Sequence, residues 1–103
     1  MAHATAKLNG VTIAEADSYE TVEGNIYFPP SSLVNKDQFT ETSTRTKCPW
    51  KGEAHYYTIN VDGKEVKDAA WFYPAPLDKA QHIKDYVAFY KTKVEITSEG
   101  TKG

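Results

Sequence analysis

Residues 54–70 read AHYYTINVDGKEVKDAA, and this stretch carries the clearest structural signal in the chain. Its first half alternates between two faces, with His55, Tyr57, Ile59 and Val61 on one and Tyr56, Thr58 and Asn60 on the other. A period of two predicts a half-buried β-strand. Asp62-Gly63 then forms a two-residue turn, and residues 64–70 return antiparallel. Trp71-Phe72-Tyr73 extends the returning strand until Pro74, which cannot donate to a ladder, ends it.

The flanking sequence predicts further short strands. Asn9-Gly10 is a turn signal ahead of a strand at residues 11–14, and Glu23-Gly24 joins strands at 19–22 and 25–28. Ser31 or Ser32 could begin a short helix, residues 78–83 suit another, and strands follow at 86–90 and 94–97. The prediction is a mainly β, single small antiparallel domain at residues 8–97 with one or two short helices. Residues 1–7 are predicted to be disordered and 98–103 to be frayed.

Composition excludes several classes of function. The net charge is −2 and the lysines are scattered, so the chain has no basic footprint for nucleic acid. No apolar run approaches the roughly 20 residues of a membrane span, and no membrane partner is expected. The single Cys48 cannot form an internal disulfide, which predicts a cytoplasmic location. One cysteine and three scattered histidines form no zinc set, so neither a metal nor a cofactor is predicted.

Residues 45–57, RTKCPWKGEAHYY, combine a thiol, cations, an imidazole and aromatic rings. Cys48 could be a nucleophile if nearby cations lower its pKa, or a small buried residue. His55 could act as a base or as a hydrogen-bonded core histidine. Lys51-Gly52 could present a positive charge and an approachable backbone to an anion, or form a plain turn. Arg45 is a second candidate for that anionic contact.

Several aromatic residues could line a pocket. Trp71 and Tyr73 are two apart on a predicted strand and therefore project to the same face. With Trp50 and Tyr57 they could form a wall for a flat or cationic ligand, or they could simply pack in the core.

The order of motifs resembles the DUF427 family. The residues that carry this resemblance are Tyr27-Phe28-Pro29, the segments TKCPWKGEAHYY (46–57) and DAAWFYPAP (68–76), and residues 83–90. The resemblance implies a compact antiparallel fold similar to the β-tent architecture of Mss4-like proteins and methionine sulfoxide reductase B. It implies no established activity. Family members are also labelled nucleotidyltransferase-like, but this chain lacks the Gly-Ser turn and Asp-x-Asp pair of such enzymes. It also lacks a second cysteine for reductase chemistry.

Three functions are compatible with these observations. The first is a small-molecule-binding module with an aromatic pocket and a Lys or Arg contact to an anionic ligand. The second is a small enzyme that uses Cys48 or Lys51 with His55. The third is a protein-interaction domain with exposed aromatic residues Tyr56, Phe72 and Tyr90, including a homodimer through an edge strand.

Overall fold

A computed structural model describes residues 3–99, and within them the chain forms nine strands. The strands are β1 (His3–Leu8), β2 (Val11–Ala16), β3 (Glu20–Val22), β4 (Asn25–Tyr27), β5 (Phe39–Cys48), β6 (Gly52–Val61), β7 (Lys64–Phe72), β8 (Val87–Phe89) and β9 (Glu95–Glu99). Three 3₁₀ segments lie at Pro30–Ser32, Lys36–Gln38 and Asp78–Ile83. None of these helical segments is long and apolar enough to cross a membrane.

The predicted mainly β, antiparallel class is confirmed, whereas the short helices are only 3₁₀ turns. The segment Asp78–Ile83 is 3₁₀ and is interrupted at Ala80, whose backbone is not helical. Near Ser31 the helical turn ends at Ser32, and Leu33 is extended and bridges Ala14. Short 3₁₀ pieces of this kind serve as connectors, because their hydrogen-bond geometry does not sustain longer runs.

Three two-residue turns predicted from X-Gly pairs are present where expected. Asn9-Gly10, Glu23-Gly24 and Asp62-Gly63 each have positive φ at both residues, between 50° and 83°. Paired positive φ values match the twist of the flanking strands in a tight hairpin, and glycine adopts the second one without steric cost. Local sequence therefore places three of the reversals.

Two strands were not predicted. Residues 1–7 were expected to be disordered, yet β1 begins at His3 and lies at the centre of the sheet β2-β1-β9. Its inward residues Ala4 and Ala6 are fully buried, and their small size gives only a weak hydrophobic pattern. β5 was missed because its sequence is polar and rich in threonine. At the other end, predicted to fray, β9 continues to Glu99, and residues 1–2 and 100–103 lie outside the described residues.

The four-stranded sheet β5-β6-β7-β8 has a hydrophobic core on each face. The first core lies against the sheet β2-β1-β9 and includes Ile59, Val61 and Phe72. The second core lies under the β3-β4 hairpin and the Asp78–Ile83 segment, and includes Ala54 and Tyr56. The prediction that β6 is half-buried is therefore wrong, since both of its faces are covered over most of its length.

The strand pairing of this sheet is interrupted by a register shift on each side of β6. The β5-β6 register shifts between Glu41 and Arg45, and the β6-β7 register shifts between Tyr57 and Ile59. Asp68, at φ 51°, accepts hydrogen bonds from the hydroxyls of Thr42 and Thr44 at 2.8 and 2.7 Å. Burial opposes the charge of Asp68, but the hydrogen bonds from Thr44 and Thr42, together with the charges of Lys67 and Lys93, outweigh burial and lower the pKa of Asp68. Such bulges twist a sheet locally and help it to cover two cores.

His3 joins β1 to β2 through two carboxylates. Its Nδ1 lies 2.5 Å from Asp17 Oδ1 and its Nε2 lies 3.0 Å from Glu15 Oε2. The hydrogen bond to Asp17, and then that to Glu15, raises the pKa of His3 above 6.5. The interactions of protonated His3 with these carboxylates therefore stabilise the fold fully below pH 6.5. This contribution is lost as the pH rises through the pKa that His3 has in the folded state.

We therefore expect the variant His3→Gln to lower Tm by about 1–2 °C at about pH 5.5, in the range of a surface ion pair. The difference from the wild type should fade at alkaline pH. Thermal melts across this range measure it, and an NMR titration of the His3 ring should give a midpoint above 6.5. A difference that grows with pH would contradict the assignment.

Candidate functional site

The predicted binding residues divide between the two faces of the four-stranded sheet. Trp50 and Trp71 pack against the second core, and Tyr73 belongs to it. Trp71 and Tyr73 therefore share a face, as the strand spacing predicted. Tyr57 packs against the first core, on the opposite face. A single wall that joins Tyr57 to Trp50, Trp71 and Tyr73 is therefore not formed.

Lys51 is enclosed rather than presented to solvent. Its side chain is 8% exposed, and its Nζ forms an ion pair with Glu23 in the turn of the β3-β4 hairpin. The same Nζ lies 5.5 Å from the ring centroid of Trp50 and 5.6 Å from that of Tyr73. We call Glu23, Trp50 and Tyr73 the Lys51 cage. It joins the β5-β6 turn to the β3-β4 hairpin.

The cage keeps Lys51 charged. Burial alone would lower the pKa of Lys51, but the hydrogen bond to Glu23 and the electrostatic interactions with Tyr27, Tyr73 and Glu23 together outweigh burial, so the pKa is raised. Burial raises the pKa of Tyr73 to about 12, with Lys51 acting against it. At neutral pH the lysine is thus an ammonium whose charge is already neutralised by a carboxylate. In this state Lys51 cannot act as a base or nucleophile.

Gly52 and Trp71 have close partners within the protein. Gly52 has φ 111°, and a Cβ there would lie 3.3 Å from the carbonyl oxygen of Ala75. The close backbone approach predicted at Gly52 is therefore made by residues 75–77 of the chain itself. Trp71 donates from Nε1 to the Tyr27 hydroxyl at 3.2 Å, and its ring lies 4.7 Å from that of Tyr90.

The two catalytic candidates lie on opposite faces. Cys48 is half-buried against the second core at the end of β5. The ring centroid of His55 lies 5.6 Å from that of Phe72, a residue of the first core. Its Nδ1 lies 3.1 Å from Glu41 Oε2, and its Nε2 lies 3.4 Å from Glu53 Oε1. A Cys48–His55 pair would need both side chains on one face, so the sheet separates them.

Arg45 is also engaged locally. It lies on β5, the outer strand of its sheet, and its guanidinium donates to Glu41 at 3.1 Å and to the carbonyls of Thr42 and Thr44 at 2.8 Å. Arg45 is paired with His55 in the sheet and binds Glu41, whereas Lys51 lies against Tyr73 of the second core and binds Glu23. The two predicted cations therefore do not form one anion site.

The aromatic residues proposed for protein interaction are mostly covered. Tyr56 and Phe72 are each only 7% exposed, because the sheet has a core on both faces, so their prediction as exposed residues is wrong. Tyr90 is 36% exposed and donates to the Tyr56 hydroxyl at 3.4 Å.

A cleft of about 280 Å³ opens on the face that carries Tyr57. Its floor is aromatic: the rings of Tyr57 and Phe72 stack at 4.6 Å, and Phe39 meets Tyr57 edge-on at 5.7 Å. We call it the Tyr57 cleft. Its lining comes from the loops and from all four strands of the sheet: Pro30, Leu33, Lys36, Phe39, Tyr57, Phe72, Asp85 and Val87.

The polar groups of the Tyr57 cleft are available to a ligand. Within residues 3–99 the Tyr57 hydroxyl has no hydrogen-bond partner. It is also not fully buried, so a ligand can reach it. Burial, and then the carboxylates of Glu41 and Asp85, raises the pKa of Tyr57, so the hydroxyl can donate at neutral pH. The exposed side chains of Lys36 and Asp85 also make no ion pair with another described residue.

Of the cleft residues, sequence reasoning named Tyr57 as a ligand contact and Phe72 as a protein-interaction residue, and it missed the others. Phe39 begins β5, whose threonine content was the one available strand signal. Leu33 and Lys36 lie in the connection before β5, and Asp85 lies before β8, where no local pattern indicates a shared site. Within residues 3–99, no three His, Cys, Asp or Glu side chains are arranged to hold a metal ion.

Comparison with known proteins gives a family. No curated protein matches the chain. A family model described as a domain of unknown function, DUF427, matches residues 1–100, which is nearly the whole chain. This extent includes all the motifs that carry the resemblance, from Tyr27 to residue 90. The chain therefore belongs to the DUF427 family.

Proposed function

We propose that this domain is a small-molecule-binding module and that the Tyr57 cleft is its ligand site. The observation that carries the proposal is an accessible phenol hydroxyl without a protein partner above an aromatic floor. Ligand sites are typically concave, mostly apolar and equipped with a few convergent polar groups, and about 280 Å³ suits a small ligand.

In this proposal the contact to an anionic group is made by Lys36, rather than by Lys51 or Arg45 as the sequence predicted. Lys51 has its charge neutralised by Glu23, and Arg45 is bound to Glu41, so either would have to lose an ion pair first. Lys36 is exposed at the rim of the cleft with its ammonium free of carboxylates among the described residues. Two further points stay predictions. One is a cytoplasmic location, inferred from the single Cys48, and the other is the similarity to the β-tent architecture.

A matched pair of tyrosine variants tests the site. Tyr57→Phe removes a hydroxyl without a protein partner, so stability should change by less than about 0.5 kcal/mol. Binding of a ligand found by NMR screening of small planar compounds should weaken up to about tenfold, the value of one hydrogen bond. Tyr56→Phe, on the other face, loses contacts to Thr46 at 2.8 Å and Tyr90 at 3.4 Å. It should lose about 1 kcal/mol of stability and keep its affinity.

The screen uses ¹⁵N-labelled protein, in which saturable shifts should appear at the amides of Tyr57, Phe72 and Asp85. Equal loss of affinity in both tyrosine variants would show that the hydroxyl of Tyr57 is not a ligand contact. Absence of any saturable shift across planar acids, amines, nucleosides and zwitterions would contradict the proposed function.

A further inference from the structure

The Tyr57 cleft runs across the whole four-stranded sheet. Phe39, Tyr57, Phe72 and Val87 come from β5, β6, β7 and β8, the order in which these strands are paired. Neighbouring strands lie about 4.8 Å apart, so the outer strands are separated by roughly 14 Å at the backbone. The cleft is therefore an elongated trough rather than a round hole.

The two ends of this trough have opposite charge. Lys36 lies in the 3₁₀ segment directly before β5, at one edge of the sheet. Asp85 lies two residues before β8, at the other edge, where its amide donates to the Tyr73 carbonyl at 3.0 Å. Glu41, the other carboxylate near Tyr57, is held by Arg45 and His55. Asp85 is thus the acidic group left for a ligand.

We propose that the cleft selects small zwitterions whose cationic group pairs with Asp85 and whose separate anionic group pairs with Lys36. The inference rests on the proposed function and names the ligand class of the same site. An apolar or aromatic body between the two charges covers Tyr57 and Phe72, and the cationic end gains from the faces of these rings. Because the charged residues lie at opposite edges, compounds with charges at two ends fit better than α-amino acids with adjacent charges.

Four related probes test the charge pattern: 4-(aminomethyl)benzoate, 4-methylbenzylamine, 4-methylbenzoate and phenylalanine. Affinities are measured by NMR titration of the wild type, Asp85→Asn and Lys36→Met. Asparagine tolerates the positive φ of 64° at position 85, and Lys36 is exposed, so both variants should fold. Thermal melts check this.

The first probe should bind the wild type most tightly. Asp85→Asn should weaken the binding of 4-methylbenzylamine and of the first probe by about threefold to fivefold, because each exposed ion pair contributes up to about 1 kcal/mol. The affinity for 4-methylbenzoate should not change. Lys36→Met should show the converse pattern. Phenylalanine should bind more weakly than the first probe.

The outcomes separate the two proposals. If all four probes bind the wild type equally, or if neither variant discriminates between amine and acid, charge selection is wrong while ligand binding in the cleft stands. If none of the four binds but other planar compounds still shift the amide of Tyr57, the zwitterion class is again wrong alone. If no compound shifts Tyr57, both proposals fail.

Discussion

Replacing Gly52 by alanine is expected to destabilise the domain by about 2–4 kcal/mol, since it combines a strained backbone with a lost hydrogen bond. The φ of 111° at this residue is one that L side chains rarely adopt. The new Cβ would also lie 3.3 Å from the Ala75 oxygen and 3.5 Å from the Leu77 nitrogen, both of which are backbone atoms. They can yield only if the segment moves.

Such movement has a further consequence, because the Leu77 amide donates to the Lys51 carbonyl at 3.0 Å. Displacing residues 75–77 would strain or break this bond beside the Lys51 cage. Denaturant unfolding measures the loss as a lower midpoint with an unchanged m-value.

Gly63→Ala is the matched control. Gly63 has φ 83° but open space around the position of a Cβ, so only the backbone conformation is penalised, by about 1–2 kcal/mol. Both variants lose the same flexibility in the unfolded chain, so that effect cancels in the comparison. Equal losses in the two variants would show that close packing against residues 75–77 contributes nothing.

The second expected result concerns the ion pair between Glu23 and Lys51. Glu23→Gln should lower Tm by about 5–10 °C, because it leaves an ammonium that is almost fully buried without its carboxylate. Lys51→Met should lower Tm by less than half as much. It removes the buried charge while keeping an unbranched side chain against Trp50 and Tyr73, and the exposed Glu23 returns to water.

A double variant and a pH series complete this test. Glu23→Gln combined with Lys51→Met should be no less stable than Lys51→Met alone, since no charge is left buried. The Lys51 hydrogen bond lowers the pKa of Glu23 below 4.5. The contribution of this group to stability is therefore present above pH 4.5 and is lost as the pH falls through the folded-state value. The wild type and Glu23→Gln should therefore converge in acid, because protonated Glu23 also leaves the Lys51 ammonium without a carboxylate. A larger effect of Lys51→Met than of Glu23→Gln would refute the argument.

Local sequence accounts for the hairpins of this protein. The alternation at residues 54–61 and the pair Asp62-Gly63 predict β6, its turn and β7, because side-chain period and turn chemistry are properties of neighbouring residues. The same holds for Glu23-Gly24 between β3 and β4. The family motifs were also recognisable, and they include Trp50, Lys51 and Tyr73 but not Glu23.

The sites depended on contacts between residues distant in the chain. Glu23 and Lys51 are 28 positions apart, and no local pattern shows that a carboxylate will neutralise that lysine. The second core could not be predicted from β6 alone, because Tyr56 becomes buried only when residues of the β3-β4 hairpin and of the Asp78–Ile83 segment pack on that face.

Residues 45–57 appeared to be one site in the sequence, but strand geometry distributes their side chains over two faces. Cys48 and Lys51 thus face the second core, whereas His55 and Tyr57 face the first. The Tyr57 cleft combines one residue of that stretch with Lys36, Phe39, Phe72 and Asp85, which only the pairing of four strands brings together. Strand pairing joins residues of any separation, so the sequence determined the hairpins and the tertiary structure determined the site.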